Sequence, residues 1–255
     1  MKKIMMAAIG LVLSVWAPVL LAQDDEEPQR FTYATYFYCN NGMEAAADEF
    51  VKRNAEVYDQ MVEDGEMLAW GWMSHHTGGK WRRIQWHQND SLAGVVAATD
   101  AMGAAVAEKF GEDDAAGDAF AAACPQHDDY VWQVTDGMSG VDRGTVGFSV
   151  YHKCDIGREE RADEIVAKHV APALNKMVEE GKLTSWGWQS HVIGGDIRKL
   201  QTMTAKDLPT LLAARTASIA AIYGEEDKVG EEFVDICGPH ADYIWNMVHE
   251  KIGDN

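Results

Sequence analysis

The chain has 255 residues, which is enough for two domains of ordinary size. It carries 22 Lys and Arg against 41 Asp and Glu, a formal net charge of −19. Such a surface repels nucleic acid and anionic lipid, because phosphate binding needs Lys and Arg to displace counterions. A nucleic-acid function is therefore excluded, and we interpret the acidity as favouring solubility rather than as a cation-binding surface.

The chain begins with the pattern of an export signal. Two lysines precede an apolar run from Ile4 to Leu21, and the acidic stretch QDDEEP follows. We predict residues 1–22 to be a secretory signal peptide cleaved after Ala22, and residues 23–30 to be an acidic segment. The alternative, an uncleaved anchor, is disfavoured because a spanning helix needs about 20 apolar residues. The sequence thus predicts a periplasmic or secreted protein with no stable membrane insertion after cleavage.

The rest of the chain is an internal duplication. The segments MVEDGEMLAWGWMSHHTGG, residues 61–79, and MVEEGKLTSWGWQSHVIGG, residues 177–195, are identical at 11 of 19 positions. Matching segments upstream (CNNGMEAAADEFV and CDIGREERADEIV) and downstream (CPQHDDYVW and CGPHADYIW) extend the repeat. We predict a first domain at 31–134, a glycine-bearing linker at 135–145 and a second domain at 146–250.

Each copy shows the same order of predicted strands and helices. An aromatic and β-branched strand, Tyr33–Cys39 in the first copy, precedes a long amphipathic helix that ends at a glycine. A hairpin about the double glycine, a second helix, a short extra helix and a last strand (DYVWQV or DYIWNMV) follow. The second helix is predicted to begin at Asp90 and Ser91 in the first copy and at Thr204 in the second.

This order, β-α-β-β-α-β, is the ferredoxin-like unit. With two such units, the EEGKLTSWGW junction between helix and strand and the HVIGG turn, the sequence resembles the dimeric α+β barrel superfamily. That superfamily includes antibiotic-biosynthesis-monooxygenase-like domains and, as tandem fused forms, chlorite dismutase-like haem proteins. The resemblance implies an α+β fold in which two tandem ferredoxin-like units form an intrachain pseudo-dimeric barrel that binds a molecule between its sheets. It rests on no catalytic motif.

The four cysteines of an exported protein permit three pairings. The resemblance implies that the first and last strands of each unit are antiparallel neighbours, which predicts the disulfides Cys39–Cys124 and Cys154–Cys237. The competing interpretation is a metal site that includes the histidine three residues beyond the second cysteine of each pair. Zinc needs four closely spaced ligands, and an oxidising compartment favours the disulfide, so we predict no metal.

Alternation along the hairpin strand separates two faces. One face is bulky and aromatic, with two tryptophans in each copy. The other has small residues and one imidazole, and its candidate ligand-binding residues are Gly71, Met73, Gly187 and Gln189. This face either lines a pocket inside the barrel or packs under the helices, where glycine merely permits close backbone approach. The sequence leaves both interpretations open.

Three histidines are candidate functional residues. His75 and His191 hold matching places on the small-residue face and are the candidate catalytic groups. An imidazole there can act as base, hydrogen-bond donor or metal ligand, but a His before a Gly-Gly turn is also a common polar cap. His152 has no counterpart in the first copy, where Phe37 stands, so it is a further candidate for a one-substrate or one-haem site, or a product of drift after duplication.

The sequence contains no motif of a serine hydrolase, a zinc protease, a nucleotide-binding protein or a c-type haem protein. Our leading hypothesis is a protein that binds a small apolar or aromatic ligand between the two sheets, with no predicted cofactor. The second hypothesis is a monooxygenase-like enzyme, cofactor-independent or haem-dependent, with His75 or His191 as its chemical group. The third is a structural or assembly module. Haem binding and homo-oligomerisation both stay open.

Overall fold

A computed structural model describes residues 29–111, 114–140, 143–224 and 228–253. The predicted signal peptide, residues 1–22, and all but the end of the acidic segment lie outside the described residues. Eight antiparallel strands form one closed barrel, and the long helices pack on its outside. Within the described ranges, no helix is both long enough and apolar enough to cross a membrane.

Two units of the predicted order build the barrel. The elements of the first unit are β1 (Arg30–Tyr38), α1 (Glu44–Glu63), β2 (Ala69–Gly78), β3 (Arg83–Asn89), α2 (Leu92–Phe110), α3 (Ala115–Ala123) and β4 (Gln126–Ser139). Those of the second are β5 (Val146–His152), a 3₁₀ turn (Ile156–Arg158), α4 (Glu159–Ile165), a π-helical turn (Val166–Val170), α5 (Ala171–Glu179), β6 (Ser185–Ile193), β7 (Lys199–Ala205), α6 (Leu208–Tyr223), α7 (Val229–Cys237) and β8 (His240–Ile252). The β-α-β-β-α-β prediction, with its short extra helix, is confirmed for both.

The strands are ordered β1-β3-β2-β8-β5-β7-β6-β4 around the barrel. Each unit contributes four adjacent strands, and two seams, β2 with β8 and β4 with β6, join one unit to the other. The pseudo-dimeric α+β barrel is thereby confirmed. The seam between β4 and β6 continues to Ser139, so the first part of the predicted linker, 135–145, is strand.

The second unit carries a one-residue insertion in its first long helix. One residue more separates Cys154 from Met177 than separates Cys39 from Met61. The structure accommodates the extra residue as the π-helical turn between α4 and α5. Pro172 lies in the first turn of α5, one residue beyond Ala171, and because proline has no backbone N–H it cannot continue the regular hydrogen-bond ladder.

The predicted start of the second helix is confirmed in the first unit and wrong in the second. Ser91 caps α2 by accepting a hydrogen bond from the backbone N–H of Gly94. Thr204 instead belongs to β7, because it is paired in the ladder with both neighbouring strands. The cap of α6 is Asp207, whose side chain accepts from the N–H of Thr210.

The two faces of the hairpin strands have opposite environments. The four tryptophans of the repeated stretch face the helices, and each indole N–H donates to a side chain on the long helix of its own unit. The pairs are Trp70 with Asp59, Trp72 with Asp48, Trp186 with Asn175 and Trp188 with Asp163. The small-residue face therefore looks into the barrel, which settles the alternative that the sequence left open.

Both predicted disulfides, Cys39–Cys124 and Cys154–Cys237, are confirmed. Each ties the end of the first strand of its unit to the start of the last strand and closes a loop of 85 or 83 residues. Loops of this length stabilise a fold by up to about 4 to 5 kcal/mol each, because the bridge restricts the unfolded chain.

Candidate functional site

One end of the barrel interior is filled by aromatic side chains, which we call the aromatic layer. Its members are Tyr36, Trp81, Tyr130, Trp132, Tyr151, Tyr243 and Trp245. Tyr130 stacks on Trp132 with ring centroids 5.1 Å apart, and Tyr243 stacks on Trp245 at 5.0 Å. The layer lies toward the hairpin turns, where the Tyr243 hydroxyl accepts a hydrogen bond from the N–H of Lys80 at 2.8 Å. This end of the barrel is closed by packing.

The other end of the interior contains a cavity of about 170 Å³. Besides the inner side of the aromatic layer, its lining includes Thr32, Trp86, Gln88, Gly147, Ser149, Gln189, Thr202, Thr204, Met247 and Glu250. A dry engineered cavity of about 150 Å³ is large enough to hold benzene. The space in this barrel therefore suits a molecule of about one ring.

Both units line the cavity, but its two sides differ because one matched pair of residues differs. Trp86 and Thr202 hold equivalent places on β3 and β7, paired with Gly71 and Gly187 respectively. The Trp86 ring lies so close to Gly71 that a Cβ there would be 2.6 Å from it, whereas a Cβ on Gly187 would meet only the Thr202 hydroxyl, at 3.1 Å. An indole thus fills the space beside Gly71 in the first unit, whereas a threonine leaves the space beside Gly187 in the second unit open.

Two buried polar groups in the cavity lining have no hydrogen-bond partner among the described residues. They are the Gln189 side-chain oxygen and the Trp245 indole N–H. Gln189 is 8% exposed and Trp245 is fully buried. An unpaired buried polar group costs about 1 to 3 kcal/mol, which a ligand with complementary groups would recover. The cavity thus presents one free acceptor and one free donor.

Glu250 brings a carboxylate to the mouth of the cavity. Its side chain is 17% exposed, and Arg143 Nε lies 3.7 Å from its carboxylate. Burial raises the pKa of Glu250, and the charges of Arg143 and His249 offset part of that rise. In the first unit Gly137 takes the equivalent place, opposite Gly187 as Glu250 is opposite Gly71.

Sequence reasoning missed Glu250 because a β-bulge changes the face of the strand. Simple alternation from the inward Trp245 would place residues 247, 249 and 251 inside. The register of β8 shifts between Met247 and His249, so that Glu250 turns inward instead. The sequence signal for this position is its alignment between the two copies, in which Glu250 stands where the first copy has Gly137.

His75 and His191 lie toward the hairpin turns and do not line the cavity. Each Nδ1 accepts a hydrogen bond from an arginine, His75 from Arg82 at 2.8 Å and His191 from Arg198 at 2.7 Å. The pKa of both imidazoles is lowered, first by burial and then by the arginine charge. Both rings are therefore neutral with the proton on Nε2. Their placement is that of a hairpin cap, and their catalytic role stays a prediction.

Each of these arginines also has an acidic partner on the first long helix of its unit. Arg82 lies 3.4 Å from Glu44, and Arg198 lies 2.5 Å from Glu159. The guanidinium groups are thus neutralised within the protein and tie the hairpin to the helix. They are not placed to bind an anionic ligand in the cavity.

His152 lies on the outer face of β5, away from the cavity. Its ring packs against Trp188 and Phe233, and Nδ1 donates to the Cys237 carbonyl at 3.2 Å. Burial lowers the pKa of His152 to about 3. Phe37, its counterpart, has the same surroundings in the first unit. Of the predicted ligand-binding residues, the structure brings Met73 and Gln189 to the cavity, with Gly71 and Gly187 behind Trp86 and Thr202.

A haem does not fit this cavity. Pockets for drug-sized ligands already occupy about 300 to 1,000 Å³, and a haem is no smaller than such a ligand. The lining has neither a His nor a free Cys to serve as axial ligand, and the ring of the asymmetric His152 is enclosed elsewhere. In the part of the chain that the structure describes, no group of three or more His, Cys, Asp or Glu side chains could hold a metal ion.

No protein-family model matches this sequence, and no curated protein matches it. Solved structures match most of the chain. A protein from Lactobacillus acidophilus NCFM, described provisionally as a monooxygenase, has a TM-score of 0.55 at 8% identity and covers 88% of this chain and 96% of its own. One from Fusobacterium nucleatum, described in the same way, has 0.56 at 12% and covers 89% and 96%. A mutant chlorite dismutase from Candidatus Nitrospira defluvii has 0.54 at 8% and covers 88% and 92%.

At these identities the likeness concerns the fold alone. It extends over both units in each case, and the eight strands close into one antiparallel barrel with helices outside. The chain therefore has the dimeric α+β barrel fold, in the tandem form in which two ferredoxin-like units of one polypeptide share a single barrel.

Proposed function

We propose that this protein binds a small organic molecule of about one ring inside its barrel, in the space beside Thr202. The observation that carries the proposal is the difference between Trp86 and Thr202, which leaves space on the Thr202 side of the barrel interior. Binding sites are typically concave and mostly apolar, with a few placed polar groups. The aromatic layer, Met73 and Gln189 give this cavity that composition.

The expected affinity for an unsubstituted ring follows from the apolar surface area that the ring buries on binding. A ring that buries about 150 Å² gains about 4 kcal/mol, which corresponds to a dissociation constant near 1 mM. Simple probes such as toluene and phenol must therefore be offered at millimolar concentration. The natural ligand is expected to bind more tightly because it uses the polar groups as well.

The test introduces tryptophan, the residue at the equivalent place in the first unit, at position 202 so that it fills the cavity. Thr202→Trp should weaken the binding of phenol and toluene at least 10-fold, because the indole would occupy the ligand volume. Titration calorimetry or ligand-observed NMR measures the dissociation constants. Trp86→Thr is the reciprocal variant: it enlarges the space, should keep phenol binding, and should admit a two-ring probe such as naphthol.

The outcomes are distinct. If the protein as purified binds neither probe at 10 times the expected dissociation constant, the proposal is wrong. It is also wrong if folded Thr202→Trp protein, with both disulfides formed, binds the probes as wild type does. Mass spectrometry of molecules released from protein purified from its natural source would identify the resident ligand.

An enzyme is the second candidate, and one observation favours it. Solved structures of this fold include proteins described provisionally as monooxygenases, and in this chain Glu250 places a carboxylate with a raised pKa on the cavity wall. Glu250, rather than His75 or His191, is then the group positioned to take a proton from a bound molecule. Once turnover is found, Glu250→Gln should lower kcat about 100-fold or more, while His191→Ala should not.

Export is part of the proposal. The sequence pattern at residues 1–22 supports it, and the two disulfides are compatible with an oxidising compartment. Fractionation of the source cells, together with N-terminal sequencing of the mature protein, tests it. Intact protein that retains residue 1 in the cytoplasmic fraction would contradict export.

A further inference from the structure

The unpaired groups in the cavity specify the polarity of the ligand. We infer that the ligand ring carries both a hydrogen-bond acceptor, for the Trp245 N–H, and a hydrogen-bond donor, for the Gln189 oxygen. A phenol or a cyclic amide such as 2-pyridone has this chemistry. The inference rests on the proposed function and adds the class of molecule that the cavity selects.

Gln189 is a polar residue in the cavity lining at a place where the first unit has an apolar one. Its side chain points inward from β6 and is 8% exposed. Its counterpart on β2 is Met73, which has no strong donor or acceptor. A buried amide oxygen without a partner is disfavoured by its desolvation, and an apolar side chain would be the less costly choice. Met73 is that choice on the first-unit side of the cavity, whereas Gln189 presents an acceptor on the second-unit side.

The indole N–H of Trp245 lacks the partner that its counterpart in the first unit has. In the first unit the Trp132 N–H donates to the Tyr36 hydroxyl at 3.2 Å. Tyr151 is the counterpart of Tyr36, and its ring lies edge-on to that of Tyr36 with centroids 5.4 Å apart. The Trp245 N–H has no hydrogen-bond partner among the described residues. The fold therefore satisfies one indole of a matched pair and leaves the other facing the cavity.

A graded panel of rings separates the two contacts. Toluene has neither a donor nor an acceptor, anisole has an acceptor only, and phenol and 2-pyridone have both. We expect anisole to bind about 5-fold to 10-fold more tightly than toluene, and phenol and 2-pyridone to gain a similar factor over anisole, since a net hydrogen bond is worth about that much. Titration calorimetry on the full mature chain gives the four dissociation constants.

Two variants show which residue is responsible for each gain in affinity. Gln189→Met, which installs the residue of the first unit, should abolish the preference for phenol over anisole. Trp245→Phe should abolish the preference for anisole over toluene. The matched controls are Gln201→Met, a buried glutamine whose amide reaches Ser218 on the helix side, and Trp186→Phe, whose indole bonds Asn175 outside the barrel. Both controls should keep the wild-type ratios.

The results that overturn the inference differ from those that overturn the proposed function. Toluene that binds wild type as tightly as phenol does would leave a binding cavity but refute its polarity. Gln189→Met protein that loses affinity equally for all four rings would refute the role of that oxygen. If no ring binds wild type at all, the proposed function fails instead. Should Trp245→Phe not fold, the wild-type ratios and Gln189→Met still decide the matter.

Discussion

The two halves of the barrel interior are built on one plan and differ at a few inward positions. The first unit has Trp86, Met73 and a glycine at 137, and its half is filled by an indole. The second unit has a threonine, a glutamine and a glutamate at the equivalent places, and its half is open and polar. Duplication has therefore preserved the frame, while inward substitutions have made the two sides of the cavity different.

The outer faces differ much less, because they hold the helices. Asp48 and Asp163 are matched residues that each accept a hydrogen bond from a tryptophan indole. Each also binds a cation on the neighbouring strand, Arg83 in the first unit and Lys199 in the second. Removing either carboxylate would leave a buried cation unpaired, which is strongly destabilising. Such positions constrain both units equally.

Among exchanges of matched residues, we expect the largest effect for His152 and Phe37. The quantity affected is the stability of the fold in acid. The pKa of His152 is about 3 in the fold and about 6.5 in the unfolded chain. The unfolded state therefore takes up the proton first, and stability is lost as the pH falls below about 6.5. The loss amounts to about 2 to 3 kcal/mol at pH 4.5. We expect His152→Phe to remove this loss.

Urea unfolding of wild type and His152→Phe at pH 7.5 and pH 4.5 measures this loss of stability. The reciprocal change, Phe37→His, should add an acid-sensitive step in the first unit. If the difference in unfolding free energy between the two pH values is the same for His152→Phe and wild type, the buried imidazole is not the source of the acid sensitivity.

An intermediate effect is expected at the paired glycines. Gly71→Ala should destabilise the fold by about 1 to 3 kcal/mol, because its methyl group would lie 2.6 Å from the Trp86 ring. Gly187→Ala should cost less than about 1 kcal/mol, because only the Thr202 hydroxyl is near, at 3.1 Å. Thermal unfolding of both variants tests the comparison, and equal losses would mean that the two halves are packed alike.

The smallest effect is expected at Glu250. Burial raises its pKa in the fold, so the ionised carboxylate destabilises the native state at every pH above the unfolded value of about 4.3. Glu250→Gln should therefore unfold at a slightly higher temperature than wild type at pH 7.5, and the gain should vanish near pH 4. Glu49→Gln, at a residue whose side chain is 76% exposed, is the control. A gain that persists at pH 4 would contradict the account.

Most of the frame could be predicted from the sequence. The repeat and the order of elements follow from self-similarity and periodicity, and the cysteine pairing follows from the strand neighbours that the resemblance implies. Asp207 was missed as the cap of α6 because ladder pairing keeps Thr204 in β7. Local propensity gave no indication of that pairing.

The site was predicted less completely. The small-residue face and Gln189 were recognised, but whether that face looked inward depended on which side the helices cover, and alternation alone does not determine this. Glu250 was missed because the bulge in β8 reverses the alternation. His75 and His191 are candidates because an imidazole can act as an acid or a base. Their position near the turns, however, follows from the length of the hairpin.

The two seams of the barrel also bear on how the molecule is put together. A single unit in isolation would expose the outer edges of β2 and β4, and such unpaired edges recruit other strands. Two identical copies could satisfy each other, but any change to the interior would then appear twice. Covalent fusion breaks that symmetry, so a bulky residue can plug one side while its twin position stays vacant. In this architecture an asymmetric interior cavity therefore depends on having both halves in one polypeptide.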